Sequence, residues 1–381
     1  MADEQSMTGT IWINAGEMSG DMHGGRLMAA LRRQAPSLEY CGMGGPEMRE
    51  QGLEALLRVE DLSVMGFTEV LGHIPRIFQM LKRIKSELAA RRPRAVILID
   101  APEFNFRVAK YAYALGIPVF YYISPKLWAW RTGRARFIAK YITRMISILP
   151  FEIAFYRQFG MEVDYVGNPL VDMVDWPSID HITPVPGRIG LLPGSRRKEI
   201  EPLMPEYARA ATILARTVPG LEFHCVQAPG VEQSRLRELW QTDVPLTIHG
   251  PLNRYAFMRG CQMLIAASGT VTLESALIGT PTLVAYKLSK LSYAIGRRVV
   301  KVPFVALPNL IMEREVFPEL LQEKADGPVL AEYALRWLTD ADAMHAVRDD
   351  LARLRTMLGA PGAPDRAATV ILHDLQTRRP A

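Results

Sequence analysis

The most highly charged candidate site is the stretch Arg188-Ile-Gly-Leu-Leu-Pro-Gly194-Ser195-Arg196-Arg197-Lys198-Glu199. An apolar run ends in Pro-Gly-Ser and delivers three cations where a helix is expected to begin. The backbone freedom of Gly194, the Ser195 hydroxyl, free amides and the Arg196 guanidinium together suit a phosphate or diphosphate. A solvated basic turn has the same composition, but the placement at a helix terminus favours an anion. A second stretch, Ala267-Ser268-Gly269-Thr270-Val-Thr-Leu-Glu274, repeats the pattern of strand end, small residues and helix start. Glu274, one turn into that helix, can reach ribose hydroxyls or simply complement the helix dipole. Two such loops together make a two-sided grip on a nucleotide diphosphate, and their coincidence says more than either alone.

In the N-terminal half, Ile97-Leu-Ile-Asp100-Ala-Pro-Glu-Phe-Asn105 puts a carboxylate at the end of an apolar strand. Asp100 there can act as a general base on a hydroxyl within hydrogen-bond reach, or as a helix N-cap. The loop Ala15-Gly16-Glu17-Met-Ser19-Gly20-Asp21-Met-His-Gly-Gly25 lets a backbone approach a ligand closely ahead of a helix N-terminus. A tight strand–helix turn capped by Ser19 or Asp21 explains it equally well. The dinucleotide fingerprint, the Walker A loop and the serine-hydrolase elbow are all absent. The seven histidines show no paired ligand spacing, so no metal is expected, and no aromatic–basic interleaving of an RNA-binding kind occurs.

The elements that must position these residues follow from the apolar pattern. Short β-branched runs at 11–15, 95–99, 119–123 and 145–149 alternate with helix-length amphipathic segments at 22–34, 75–91, 106–115 and 151–159. That alternation predicts a parallel sheet covered by helices. Around residues 174–187 it dissolves into prolines and polar residues, which reads as a linker. A second set follows, with strands at 189–192, 221–226, 263–266 and 282–285 and helices at 199–217, 271–277 and 331–338. The expected architecture is α/β, with two doubly wound Rossmann-like domains facing a cleft and ligands at the carboxyl ends of the strands. Expected boundaries are residues 1–173, the linker, residues 188–358, and a C-terminal helical segment, 359–381, that returns to the N-terminal domain.

The chain has 381 residues, 49% hydrophobic and 22% charged, which suits globular domains and excludes disorder or a fibrous repeat. Its three cysteines are far apart, so neither a disulfide scaffold nor a zinc ribbon is expected. The polar start lacks a signal peptide and no apolar run reaches membrane-spanning length, so a cytoplasmic protein is expected. A net charge of +5 permits an acidic partner without requiring nucleic acid. Residues 64–83 are apolar over much of their circumference and then basic. Such a helix is usually core, but it can also lie on a membrane with Arg76, Lys82 and Arg83 toward lipid phosphates.

Read together, these residues resemble the lipid-A-disaccharide synthases, glycosyltransferases of bacterial endotoxin assembly. The resemblance spans nearly the whole chain. It rests, in order, on Ala15-Gly-Glu-Met-Ser-Gly-Asp-Met-His-Gly24, Val64-Met-Gly-Phe-Thr-Glu-Val-Leu-Gly72, Ile99-Asp-Ala-Pro-Glu-Phe-Asn105 and Tyr122-Ile-Ser-Pro-Lys-Leu-Trp-Ala-Trp-Arg131. Ile148-Leu-Pro-Phe-Glu152, Leu192-Pro-Gly-Ser-Arg196, Ser268-Gly-Thr270 and Leu307-Pro-Asn-Leu310 complete the series. Two positions depart from the family pattern: Asn168 stands where His is usual, and Glu103 where Asp is usual. Asn cannot titrate, so no acid–base role passes to position 168.

The resemblance implies a glycosyltransferase-B fold and an inverting transfer of 2,3-diacylglucosamine from its UDP derivative to the 6-hydroxyl of 2,3-diacylglucosamine 1-phosphate. The products are a β(1→6) disaccharide and UDP, with no cofactor required. Asp100 is then the base. Gly194, Ser195, Arg196, Ser268, Gly269, Thr270, Glu274 and Asn309 hold UDP, while Gly16, Glu17, Ser19, Gly20 and Asp21 lie on the acceptor side. Met65, Phe67, Leu71 and Phe78 become acyl- or membrane-facing, and peripheral attachment to the cytoplasmic face of the inner membrane follows. A homodimer is compatible with the sequence. The rival enzyme is a UDP-N-acetylglucosamine 2-epimerase-like protein, which shares the nucleotide grip but has no use for an apolar patch. A non-catalytic membrane-surface binder leaves Asp100 and both anion loops unexplained.

Overall fold

The computed structural model describes residues 7–63, 70–130, 132–251, 253–289, 293–294, 296, 298 and 302–378, with the side chains of 62–63 and 70–74 left aside. The chain divides into two compact units: one runs to Pro169 and resumes at Ala360, and the other is Leu170–Gly359.

The first unit contains seven parallel strands, β1 (Gly9–Ala15), β2 (Leu38–Gly44), β3 (Glu54–Arg58), β4 (Ala95–Ile99), β5 (Val119–Tyr122), β6 (Arg144–Ser147) and β7 (Val163–Tyr165), in the order β3-β2-β1-β4-β5-β6-β7. The strand order reverses between β1 and β4, so the loops after those two strands flank a switch point, where such sheets bind ligands. Both faces are covered, which is why the central strands are mostly apolar. Ile11, Ile13, Ile97, Ile99, Phe120 and Tyr122 share one face with Leu27, Met28 and Leu31 of the helix Met18–Gln34. Ile371 and Leu375 of the helix Ala363–Thr377 join the same cluster, and that helix packs on Met18–Gln34. The alternate residues Trp12, Val96, Leu98 and Tyr121 face Leu81, Ile84 and Leu88 of the helix Val70–Arg91.

The second unit contains β8 (Val185–Leu192), β9 (Glu222–Val226), β10 (Leu246–His249), β11 (Cys261–Ala267), β12 (Thr282–Tyr286) and β13 (Glu319–Leu321), parallel in the order β10-β9-β8-β11-β12-β13. Its switch point lies between β8 and β11, the two strands that carry the predicted anion loops.

The segment expected to be a linker is packed structure. Trp176–Ile179 is a helical turn and β8 already starts at Val185. The Trp176 indole donates to the Val171 carbonyl at 2.9 Å. Arg355 of the helix Ala341–Met357 lies 3.7 Å over the Trp176 ring and pairs with Asp180 at 3.3 Å. Proline content signalled a break in the alternating pattern, but an aromatic anchor and an ion pair fasten the segment to the second unit.

Candidate functional site

In the first unit, the loops after β1 and β4 touch. A Cβ on Gly16 would lie 2.2 Å from the Ala101 Cβ, so glycine is needed there for the Asp100 turn to come close. Gly16 and Gly20 are buried, whereas Glu17 and Ser19 are exposed at the start of the Met18–Gln34 helix. Asp100 follows the last residue of β4 and is partly exposed. Burial raises its carboxyl above the usual aspartate range, opposed by the Ala101 amide and by the positive charge of Lys126. A carboxylate made more basic in this way suits proton abstraction better than a fully solvated one.

Asp21 is not on the ligand surface. It is fully buried, and its carboxylate accepts from the amides of Gly45 (2.6 Å), Glu47 (3.0 Å) and Met48 (3.2 Å). It thereby caps the helix Pro46–Glu50 from a neighbouring element, satisfying amides that have no intrahelical partner. The acceptor-side assignment of Asp21 is corrected on that ground.

The carboxyl ends of β5 and β6 carry a polar cluster that sequence reading passed over. Glu152 is buried and accepts from the Trp128 indole at 3.0 Å and from the Ser147 hydroxyl. Burial pushes its carboxyl up to about 7 against those hydrogen bonds. The hydroxyls of Ser124 and Tyr156 bond at 2.7 Å beside it. Asn168 is buried and its amide donates to the Ile148 carbonyl at 3.2 Å, so it ties the chain after β7 to the end of β6.

In the second unit, a cavity of about 440 Å³ opens at the carboxyl ends of β8, β9 and β11. Gly194, Ser195, Arg196, Ser268, Gly269, Thr270 and Glu274 all line it, so both predicted anion loops and the predicted ribose carboxylate meet in one place. A Cβ on Gly269 would meet nothing within 4 Å, which leaves room for a ligand against the Thr270–Leu277 helix start. Glu274 accepts from Arg254 (2.8 Å) and from the Tyr255 hydroxyl (3.3 Å).

Gly194 has φ +105°, and a Cβ there would come within 2.4 Å of the Glu199 carboxylate. That carboxylate accepts from the amides of Ser195 (3.1 Å) and Arg196 (3.3 Å), while the Arg196 guanidinium lies 3.4 Å from it. Glu199 thus closes a capping box on the amides expected to meet phosphate. Arg196 itself remains 82% exposed.

Asn309 does not line this cavity. It is fully buried: its amide donates to the Phe317 carbonyl (2.7 Å) and Glu319 (2.9 Å), and its oxygen accepts from the amides of Val316 and Phe317 (both 2.8 Å). Those four bonds exhaust a primary amide's capacity, so Asn309 serves the turn before β13 rather than UDP.

Arg254 and Gln227 line the cavity without having been singled out from sequence. Arg254 was legible in principle, as a cation opening a helix just after β10.

Met65, Phe67 and the side chain of Leu71 lie outside the described residues. Phe78 is 61% exposed on the Val70–Arg91 helix, whose Met80, Leu81, Ile84 and Leu88 are buried. Among the described residues, no helix is long and apolar enough to cross a membrane, and no group of three or more His, Cys, Asp and Glu is arranged to hold a metal ion.

Two parallel sheets with a phosphate-suited cavity at strand ends define the glycosyltransferase-B class of folds. The S. aureus MnaA–UDP co-structure matches with a TM-score of 0.65 and 13% identity, covering 98% of this chain and 99% of that one. Acinetobacter baumannii MurG matches with a TM-score of 0.64 and 14% identity, covering 96% and 99%. At such identities the likeness concerns the fold. Sequence goes further: residues 11–369 match the lipid-A-disaccharide synthetase family. The lipid-A-disaccharide synthase of Myxococcus xanthus (strain DK1622) is 41% identical over 381 residues, covering 97% of this chain and 98% of its own. The chain belongs to the lipid-A-disaccharide synthetase family.

Proposed function

We propose that this chain transfers 2,3-diacylglucosamine from its UDP derivative to the 6-hydroxyl of 2,3-diacylglucosamine 1-phosphate, with inversion, releasing UDP and a β(1→6) disaccharide. The observation that carries this reading is the cavity of the second unit, where both anion loops and Glu274 converge. In it, the Arg196 guanidinium and the start of the Thr270–Leu277 helix neutralise the diphosphate as it leaves, the task a divalent metal performs elsewhere. Ser195, Ser268 and Thr270 contribute hydroxyls, Gly194 and Gly269 allow close approach, and Glu274 takes the ribose. In the first unit Asp100 removes the proton from the acceptor hydroxyl, and Gly16, Glu17, Ser19 and Gly20 shape the acceptor side. Inversion needs one base and no covalent sugar intermediate.

Membership of the family favours transfer over epimerisation on the same fold. Both substrates are amphiphiles, so attachment to the cytoplasmic face of the inner membrane through the apolar segment 65–78 belongs to the same reading.

The test combines purified protein, both lipid substrates and a chelator, with detection of UDP and of a tetraacyl disaccharide. Both products are expected in the parent. Asp100→Ala is expected to lose at least about 100-fold in turnover, the lower range for general-base catalysis, while still binding UDP. A parent that interconverts UDP-sugars without forming a disaccharide would overturn the reading, and near-normal turnover in Asp100→Ala would remove the base.

A further inference from the structure

Asp100 and Ala101 are consecutive non-glycine residues in the left-handed region, with φ 49° and 43°. L-residues avoid that region because Cβ crowds the following carbonyl oxygen, and such strain persists only where the surroundings over-determine it. Here they do. The Tyr121 hydroxyl donates to the Asp100 carbonyl at 2.6 Å, and the Asn105 amide donates to the same carbonyl at 2.7 Å and to that of Ile99 at 3.1 Å. Asn14 donates to the Asn105 oxygen at 2.7 Å, and the Trp12 indole lies 3.4 Å from the Asn14 oxygen it donates to. Asn14, Asn105 and Tyr121 are fully buried, so none of them is placed to touch a substrate. They come from three elements, β1, β5 and the helix Pro102–Ala114. Two buried donors converge on the main-chain oxygen of the one residue read as the base, in a turn that glycine would form without strain.

We propose that Asn105 and Tyr121, backed by Asn14, are positioning residues that fix the left-handed Asp100–Ala101 turn and so aim the Asp100 carboxyl at the acceptor hydroxyl. The inference rests on Asp100 as the base. The titratable and charged groups set around the turn are Tyr121 on β5 with Tyr156 beyond it, Lys126 just after β5, and Glu103 in the following helix, which is paired with Arg134 at 2.6 Å. Clamping the turn keeps the carboxyl partly withdrawn from water; loosening it admits water and lowers the pH at which the carboxyl ionises.

Tyr121→Phe removes one donor and no volume. Ala101→Gly removes strain and no hydrogen bond. Each is measured for melting temperature, UDP affinity, kcat, KM and the pH profile of kcat/KM. Tyr121→Phe is expected to keep UDP affinity within twofold, lose about tenfold or more in kcat at unchanged KM, and move its acid limb to lower pH. Ala101→Gly is expected to melt higher than the parent and yet turn over more slowly, a combination that a merely structural network would not produce. If Tyr121→Phe does not fold, Ala101→Gly decides. With Asp100→Ala inactive, kcat and acid limb within twofold of the parent in the folded variants overturn the positioning role alone. Turnover in Asp100→Ala overturns the base, and the positioning role with it.

Discussion

Four polar residues that look interchangeable in sequence have different fates. Asp21 and Asp100 each follow an apolar strand within a few residues, but Asp21 spends its carboxylate on three amides whereas Asp100 stays partly exposed. Glu274 lines the cavity while Asn309 is locked in four bonds away from it. Residue type and spacing therefore located the loops but could not say which oxygen was already taken, because that depends on amides brought up from elsewhere in the chain. Glu199 makes the same point from inside the site, since it occupies the Ser195 and Arg196 amides. The Arg196 guanidinium, by contrast, is 82% exposed and only 3.4 Å from one Glu199 oxygen, a solvent-screened pair that offers little resistance to a stronger anion. Arg196→Ala should then cost UDP binding about 1.5–3 kcal/mol, the range for a charge-assisted hydrogen bond, or roughly tenfold to a hundredfold in Kd. Calorimetric titration with UDP measures this, and an unchanged Kd would take Arg196 out of the diphosphate site.

Among elements, the central strands were legible because both faces are buried and their residues are mostly apolar, wholly so in Ala95–Ile99. The strands that were missed, β2, β3, β7, β10 and β13, lie at the sheet edges or, for β2, next to one. β3, β7 and β10 are only partly buried, so they lack a continuous apolar run. β2 is well buried but holds Gly42 at φ +143°, where a Cβ would strike the Ile13 carbonyl at 2.1 Å. Its glycines weaken the strand signal in the sequence, although here they permit close strand approach. The polar cluster at the ends of β5 and β6 was not legible as a cluster: Ser124, Trp128 and Glu152 stand in two of the family motifs, but they meet each other and Ser147 only after folding. That cluster has a measurable signature. An unfolded Glu titrates near 4.3, whereas burial holds Glu152 up to about 7 in the fold. Across that window the folded chain keeps a proton the unfolded chain releases, so Glu152 makes stability fall as pH rises, with its full effect above about 7. Glu152→Gln retains an acceptor for Trp128 and cannot ionise. It should therefore lose less melting temperature than the parent between pH 5 and pH 8, and parallel curves for the two proteins would show that Glu152 is not the group responsible.

At the scale of the whole molecule, the alternation of strand and helix was enough to predict two parallel sheets, and the ordered motifs were enough to predict the family. The first domain boundary was expected at residue 173, four residues past Pro169, but the packing of the segment after it was not legible, because Trp176 and Asp180 dock it against Arg355, far along the chain. An excess of cations, 45 Lys and Arg against 40 Asp and Glu, sets a weak overall preference for anionic surfaces, too small to bind one without local help. In the membrane attachment proposed above, the Val70–Arg91 helix supplies that help. Its Met80, Leu81, Ile84 and Leu88 are spent on the core, and Phe78, Lys82 and Lys85 are exposed on positions three and four apart, along one outer face. An aromatic ring flanked by lysines suits an anionic bilayer, at about 1 kcal/mol for each cation near the surface and roughly 1–2 kcal/mol for a ring partly withdrawn from water. Replacing Phe78 with Ser and Lys82 with Ala together should lower partitioning onto anionic phospholipid vesicles by about tenfold or more at low salt. UDP affinity should be unaffected, because both changes lie in the unit that does not hold the cavity proposed for UDP. Co-sedimentation with anionic and with uncharged vesicles separates the charged contribution from the apolar one. Equal binding of parent and double variant to both kinds of vesicle would show that this face does not carry the attachment.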